Sequence, residues 1–471
     1  MKTIPFAALP LIACALAARS EFVLSEGEST SLKAGVDLRI RQEVYDCIPY
    51  GGVMGNGGPS PYANWIRFRS RAWMRASWEN VSIYARLANE FRWYPTGDSG
   101  SANTENWVFP DELYLDNLYL DVTDIFGVLD LRFGRQDFFG PDGYGSGRVL
   151  CEGSSYDGSR SLYFDAVRAR LHVSEKDTLD FLGIYSCPRE TLRVGENESN
   201  PARPERPRVR NSIAPGSTEL VESGVGLYFQ SRSSESLPFD LYWVFKRESH
   251  AYSRTGAKLT GRNVHTFGTL LRPAFSENLS GEFEFAWQVG EKDSGASVRG
   301  CMAYAGLTAR PSPDSSVNPW LTLSCYYLSG ERDGSGGTSA NGASDHGWDP
   351  LWARWPQFSE LGVYLFEYGI GYWSNIVHPA LAAGCTIGGR AKFNAETGPL
   401  YAAVDDGLGG GDGNYIGWLT SARLTVPVTK SRDGLVPAVN AHVLGEVLTR
   451  GDYFASDRTA YFLRWEVSMA F

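Results

Sequence analysis

Lysine, methionine and histidine are scarce in this chain of 471 residues, and long apolar runs are almost absent. Only eight of the 44 basic residues are Lys (positions 2, 33, 176, 246, 258, 292, 392 and 430), which leaves 36 Arg. After residue 20 no run reaches the roughly 18 apolar residues that a helix needs to span a bilayer, which excludes helical membrane spans. No GxSxG, HExxH or GxxxxGK segment occurs, and the six His residues are scattered. An enzyme is therefore not expected, and no catalytic residue, metal or cofactor is assigned. Apart from Cys14, the cysteines (47, 151, 187, 301, 325 and 385) lie at least 24 residues apart, which rules out metal and thioredoxin-like spacings. A disulfide among them and free thiols both stay open. The net charge of −10 argues against a nucleic-acid partner.

What the chain has in plenty is turn formers and rings: 52 Gly, 14 Trp, 24 Tyr and 24 Phe. Lys2 precedes a mostly apolar run from Ile4 to Ala18, interrupted by Pro5 and Pro10, which fits a secretory leader. Residues 1–17 are expected to be removed at Ala15-Leu16-Ala17, although Leu11-Ile12-Ala13-Cys14 would also serve as a lipidation box. From residue 33 onward the recurring signal is alternation of apolar and polar residues over strand lengths, broken by Gly, Asp, Asn, Ser and Pro clusters. Ile66, Phe68, Ala72, Met74 and Ala76 oppose Arg67, Arg69, Arg71, Trp73 and Arg75. Leu129, Leu131 and Phe133 oppose Asp130 and Arg132. Phe283, Phe285, Trp287 and Val289 oppose Glu282, Glu284 and Gln288.

In a soluble sandwich the polar face looks to bulk water. Here it concentrates charge at every second position, and the apolar face ends in aromatics. That combination suits an all-β fold, a transmembrane antiparallel β-barrel in which lipid faces one side and a wet lumen the other. The alternating run to Phe471, with Tyr461, Leu463, Trp465, Val467 and Met469 on one face, resembles the closing strand of bacterial outer-membrane proteins. A first count gives about nineteen strand-like segments, and single-chain bacterial barrels have an even number. Assigning residues 363–372 to a long loop gives about 18 strands in one domain over residues 31–471, with sixteen as the fallback. Short periplasmic turns are then expected near 77–80, 123–127, 174–177, 232–237, 273–277, 311–317, 389–391 and 428–434. Long extracellular loops are expected at 46–63, 94–111, 137–160, 187–218 and 330–374, of which 137–160 and 330–374 form the constriction.

Phe133-Gly134-Arg135-Gln136 ends one strand, and after a Gly-rich loop comes Gly158-Ser159-Arg160-Ser161-Leu162-Tyr163-Phe164-Asp165-Ala166-Val167-Arg168-Ala169. This arrangement resembles the alginate export family of outer-membrane porins. Trp348-Asp349-Pro350-Leu351-Trp352 and Trp373-Ser374-Asn375 look like that family as well. The resemblance implies an eighteen-stranded barrel in the outer membrane of a Gram-negative bacterium, with an Arg-rich lumen that passes an acidic polysaccharide.

The candidate saccharide-binding residues are Arg67, Arg69, Arg71, Arg75, Arg86, Arg132, Arg135, Gln136, Arg160, Asp165, Arg168 and Arg170. Arg forks that face a pore bind carboxylates one after another, each weakly enough to release. Taken singly, each Arg is as well explained by pairing with Asp130, Asp137, Asp157 or Asp165 to hold a loop. Taken as a face, with Arg92 included, the cations outnumber Glu90, Asp116, Asp130 and Asp165, which points to mobile anions. Asp240, Glu282, Glu284 and Glu396 carry acid into the second half of the lumen, so the expected cargo broadens from alginate to acidic or neutral oligosaccharides moving by passive diffusion. Trp348, Trp352, Trp355 and Tyr364 are either a stacking slide for sugar rings or loop packing. Expected partners are that saccharide and outer-membrane lipid, with periplasmic secretion components left open, and the barrel is expected to be a monomer. Two further readings are kept: a nonselective or structural barrel, and an outer-membrane hydrolase.

Overall fold

The computed structural model describes residues 21–48, 62–95, 107–108, 113–138, 143–150, 164–186, 193–194, 222–252, 258–332, 344–353, 358–362, 373–407, 409–430 and 436–471. The expected leader, Arg160, Cys151, Cys187 and residues 363–372 lie outside them. Eighteen long strands form the wall: β1 Thr30–Asp46, β2 Ala63–Trp78, β3 Val81–Trp93, β4 Leu113–Ile125, β5 Leu129–Gln136, β6 Phe164–His172, β7 Asp177–Ser186, β8 Glu222–Ser231 and β9 Phe239–Tyr252. The second half continues with β10 Lys258–Leu271, β11 Leu279–Lys292, β12 Ser297–Ala309, β13 Trp320–Leu328, β14 Ile376–Ile387, β15 Ala391–Tyr401, β16 Tyr415–Thr429, β17 Ala438–Arg450 and β18 Ala460–Ala470. Each pairs antiparallel with its neighbours in sequence, from Thr30↔Trp78 to Ala438↔Ala470. β18 then pairs with β1, from Asp37↔Ala470 to Asp46↔Tyr461. The sheet is closed, so no strand edge is left with unpaired backbone groups in lipid. At the seam Phe471 exchanges both backbone hydrogen bonds with Val36, at 2.8 and 3.1 Å.

The period-2 alternation decides which way each side chain points. Met74, Ile83, Phe133, Val167, Phe181, Leu241, Phe285, Trp287 and Leu463 are exposed on the outside, where they form an apolar band. Arg67, Arg69, Arg86, Arg132, Arg168, Asp240, Tyr242, Lys246, Glu282 and Glu284 are buried on the inside. A one-residue slip in any strand would exchange these sets, which is why the register is strongly specified.

The eight short connections fall where the turn chemistry places them, from residues 79–80 after β2 to the segment between Thr429 and Ala438. Opposite them lie the long connections, and two of these fold into the lumen. Residues 143–150 run along the inner wall, with Tyr144, Val149 and Leu150 buried. Residues 344–353 and 358–362 bury Trp348, Leu351, Trp352, Phe358 and Leu361 against the same interior. Among the described residues Cys47, Cys301, Cys325 and Cys385 are free thiols. Cys301 and Cys325 lie on neighbouring strands, but Cys325 stands opposite Ala305, so register keeps the two sulfurs apart.

Candidate functional site: an arginine row across the closing seam

β1, β2, β3 and β18 meet where the barrel closes, and their inward positions are almost all charged. Arg39 stands directly opposite Arg69, Arg41 opposite Arg67, and Asp37 opposite Arg71 on β2. On the other flank Glu43 stands opposite Arg464 and Arg41 opposite Glu466. Like charges directly across a ladder destabilise a sheet unless carboxylates sit between them. Glu43 does this most fully: it lies 3.2 Å from Arg41, 2.6 Å from Arg67 and 2.6 Å from Arg464, and it accepts from Trp65 Nε1 at 2.8 Å. Glu90 takes Arg67 at 3.3 Å and Arg39 at 3.7 Å, and Asp37 takes Arg71 at 2.8 Å and Arg69 at 3.4 Å. Glu466 lies 3.8 Å from Arg39 and 3.7 Å from Arg41. Among the described residues, six guanidinium groups (Arg39, Arg41, Arg67, Arg69, Arg71 and Arg464) thus share four wall carboxylates (Asp37, Glu43, Glu90 and Glu466).

The row continues around the wall in closer balance. Arg86 pairs with Asp116 at 2.7 Å and Asp137 at 3.2 Å, Arg132 with Asp121 at 2.5 Å, and Arg170 with Asp180 at 2.7 Å. Arg132 also covers the Tyr119 ring at 4.1 Å, and Arg75 donates to Tyr119 Oη at 3.1 Å. Arg168 stands opposite Arg132 and is buried.

Two of the candidates are set apart from this row. Arg135 stands opposite Asp165, on the strand parity of Phe133 and Val167, both of which face outward. The pair is closed at 3.1 Å, and Arg135 Nη1 donates to the Leu115 carbonyl at 2.8 Å. Arg135 is nevertheless only 2% exposed, at a strand end where Gly134 interrupts the regular backbone. Gln136, on the inward parity, donates to the carbonyls of Gly134 and Ala166. Gly134 has φ +121°, and a Cβ there would meet the Leu118 carbonyl at 2.3 Å, so this strand end accepts only glycine. Gly134→Val is expected to cost about 2 kcal/mol, read as a lower urea midpoint for folding.

The expectation that nearby acids are too few for the Arg face also changes. Asp37, Glu43, Asp121, Asp180 and Glu466 supply counter-ions beyond those the strand pattern offers, and Asp137 pairs with Arg86. Among the described residues, guanidinium groups still stand directly opposite one another at Arg39–Arg69, Arg41–Arg67 and Arg132–Arg168. The signal was present in β1, where Asp37, Arg39, Arg41 and Glu43 occupy alternate positions.

On the far wall the acids of the second half are occupied. Arg148, from the inward loop 143–150, lies 2.8 Å from Glu282 and 3.0 Å from Glu284, with its guanidinium 3.5 Å above the Tyr304 ring. Burial opposes its charge, but the two carboxylates hold it above the ordinary guanidinium range. Tyr144 of the same loop donates to Asp180 at 2.6 Å, and burial together with that carboxylate pushes its phenol well up. Asp240 takes Arg232 at 2.7 Å and Arg272 at 3.5 Å.

The long loop stands on two feet. The first, residues 344–353, rests on β8–β12: Asp349 lies 2.8 Å from Arg262 and 3.7 Å from Lys246, and exchanges two hydrogen bonds of 2.8 Å with Gln288. Lys292 holds Asp345 at 2.9 Å. Trp352 donates to Glu222 at 3.1 Å and lies so close to β8 that a Cβ on Gly224 would come within 2.3 Å of its ring. These tryptophans pack the loop to the wall rather than line a slide. The second foot, residues 358–362, rests on β17 and β18 through Glu446 and Arg464. The first foot thus sits over β8–β12, and the second over β13, β14, β17 and β18.

No family model matches the chain, and no curated protein matches it. Solved structures do. Acinetobacter baumannii OccAB1 aligns with TM-score 0.58 over 97% of this chain and 99% of that one, at 8% identity. Pseudomonas aeruginosa OpdL aligns with TM-score 0.55 over 93% and 98%, at 12% identity. P. aeruginosa OccK11 (OpdR) gives 0.52 over 93% and 95%, at 9% identity. The fold is that of an outer-membrane porin. The chain spans these porin barrels almost end to end, and its apolar outer band and closed wall place it in the outer membrane of a Gram-negative bacterium. At this identity the likeness carries architecture and leaves the solute to the residues of the lumen.

Proposed function

We propose that this porin-fold chain is a passive channel for acidic saccharides, with the arginine row at the closing seam as the attracting surface. The observation that carries the reading is two pairs of arginines directly opposite one another on the inner wall, Arg39 with Arg69 and Arg41 with Arg67. An inner wall that keeps cations face to face gives up stability that apolar or oppositely charged pairs would supply. A carboxylated solute passing along it would relieve that repulsion, and forked guanidinium groups at successive heights would hand its carboxylates on. The two inward loops occupy part of the lumen, which favours short oligosaccharides or a single extended chain over bulky branched glycans. The resemblance in sequence to the alginate export family points to uronates as the cargo class.

A structural barrel, in which the charges serve only to hold loops, is supported by the anchoring of Arg148, Lys246 and Arg262. The seam row separates the two readings, because Arg39, Arg41, Arg67 and Arg69 meet carboxylates that belong to wall strands. Refolded protein in a planar bilayer under a KCl gradient is expected to show anion selectivity and to be blocked by trigalacturonate. Replacing Arg67, Arg69 and Arg71 together by Ala is expected to abolish the anion preference and to weaken the block about tenfold, roughly 1.4 kcal/mol. Unchanged selectivity in the triple variant would sink the proposal in favour of the structural barrel.

A further inference from the structure

The second foot of the long loop delivers a carboxylate into the arginine row. Glu360 Oε1 lies 2.7 Å from Arg464 Nη1, while the other edge of that guanidinium is held by Glu43. Among the described residues Glu360 is the carboxylate in this row that comes from a loop and not from a wall strand. Its charge is not what seats the foot. Ser359 Oγ donates to Glu446 at 2.6 Å, and the backbone N–H groups of Glu360 and Leu361 donate to the same carboxylate at 3.0 and 2.7 Å. Phe358 adds edge contacts to Trp373 and Tyr326. The backbone at 360 is thus fixed by groups other than its own side chain.

The first foot offers a contrast. There Asp349 is 1% exposed, lies near two cations, and accepts from the N–H of Leu351 at 2.7 Å. Glu360 is 11% exposed and lies 2.7 Å from Arg464 Nη1. Its greater exposure makes it more exchangeable than Asp349.

We propose that Glu360 is a tethered competitor: it occupies in cis the place on Arg464 that a uronate carboxylate takes during passage, and so sets the concentration at which acidic saccharides are held. The inference rests on the reading that acidic saccharides pass this row. Exchange of one carboxylate for another leaves the charge balance around Arg464 unchanged, so the solute does not have to overcome a change in local charge. What it must overcome is the effective concentration of the tethered group, which for a short tether is on the order of millimolar. Solutes below that level find Arg464 taken, and solutes with several carboxylates displace Glu360 more readily.

The test is block of single-channel current by galacturonate and trigalacturonate, with maltotriose as the neutral probe, in wild type and in Glu360→Gln. Glutamine keeps the shape and both backbone bonds to Glu446 and removes the charge. Folding is checked by heat-modifiable gel migration, and Glu360→Ala serves as a second variant if the first fails to fold. The expected result is an approximately tenfold lower half-blocking concentration for both uronates, with the response to maltotriose unchanged. A wild type that resists block beside a variant that is blocked supports the same conclusion. Equal block of wild type and variant overturns the role of Glu360 and leaves the channel reading standing. Absence of both block and anion selectivity in both proteins overturns the two together.

Discussion

Single-channel conductance is expected to rise about two- to fourfold when Asp349 and Trp352 are both replaced by Ala, with little loss of barrel stability. The two side chains hold the first foot of the long loop. Asp349 reaches Arg262 at 2.8 Å, while Trp352 is wedged over Gly224 with its N–H on Glu222. Without them the segment keeps Lys292–Asp345 and the backbone bonds of residues 349 and 351 to Gln288 and Lys246, but loses the ion pair and the wedge that press it onto β8 and β10. An extended chain with its side chains fills roughly 10 Å of a lumen, so freeing it enlarges the narrowest section by a large fraction. The wall survives because its cations keep partners: Lys246 retains Glu222 at 3.0 Å and Glu248 at 2.6 Å, and Arg262 retains Glu248 at 2.8 Å. No buried cation is stranded, which is the usual source of a large penalty. Conductance in planar bilayers and the urea midpoint of refolding check both halves. An unchanged conductance would mean that the foot lies out of the ion path.

Much of this architecture was legible because a barrel writes each strand locally. Alternation at Ile66–Ala76 and Phe283–Val289 told inside from outside, and the turns at 77–80 and 389–391 fixed which ends were short. Contacts that join distant strands leave no such trace. That Arg41 faces Arg67 depends on the register of β1 against β2, and that Glu43 faces Arg464 depends on closure across 421 residues. The same holds for the loops. Glu282 and Glu284 read as acids bared to the lumen, yet Arg148 arrives from a segment 136 residues from Glu284 and pairs with both, with Arg272 also on Glu282. Arg135 and Gln136 are adjacent in one motif and both are buried at the strand end, which strict alternation does not foretell. The Arg bias spoke for anions as a class; which carboxylate each guanidinium meets could be decided only from the cross-strand partners.

Glu43→Gln is expected to produce the largest single-residue effect in the wall, a loss of about 3 kcal/mol of folding stability together with a rise in anion selectivity. Glu43 is 1% exposed, and it lies within 3.2 Å of three guanidinium groups that belong to β1, β2 and β18. Two of the three, Arg41 and Arg67, face each other directly, and the third lies across the seam that closes the barrel. Glutamine fills the same volume and can still accept from Trp65, but it leaves this cluster to Glu90, Glu466 and Glu360. Repulsion then acts on the one strand pair, β1 with β18, whose formation must wait for the whole chain. Refolding is expected to slow as well as weaken. Salt separates this electrostatic origin from a packing defect: at 1 M ionic strength the screening length falls to about 3 Å, and roughly half of the lost stability should return. In a bilayer the same variant should shift the reversal potential toward chloride, opposite in sign to the Arg67, Arg69 and Arg71 replacement. A variant that is destabilised at every salt concentration and keeps the wild-type selectivity would show that Glu43 acts through packing, and that the row does not set the field of the pore.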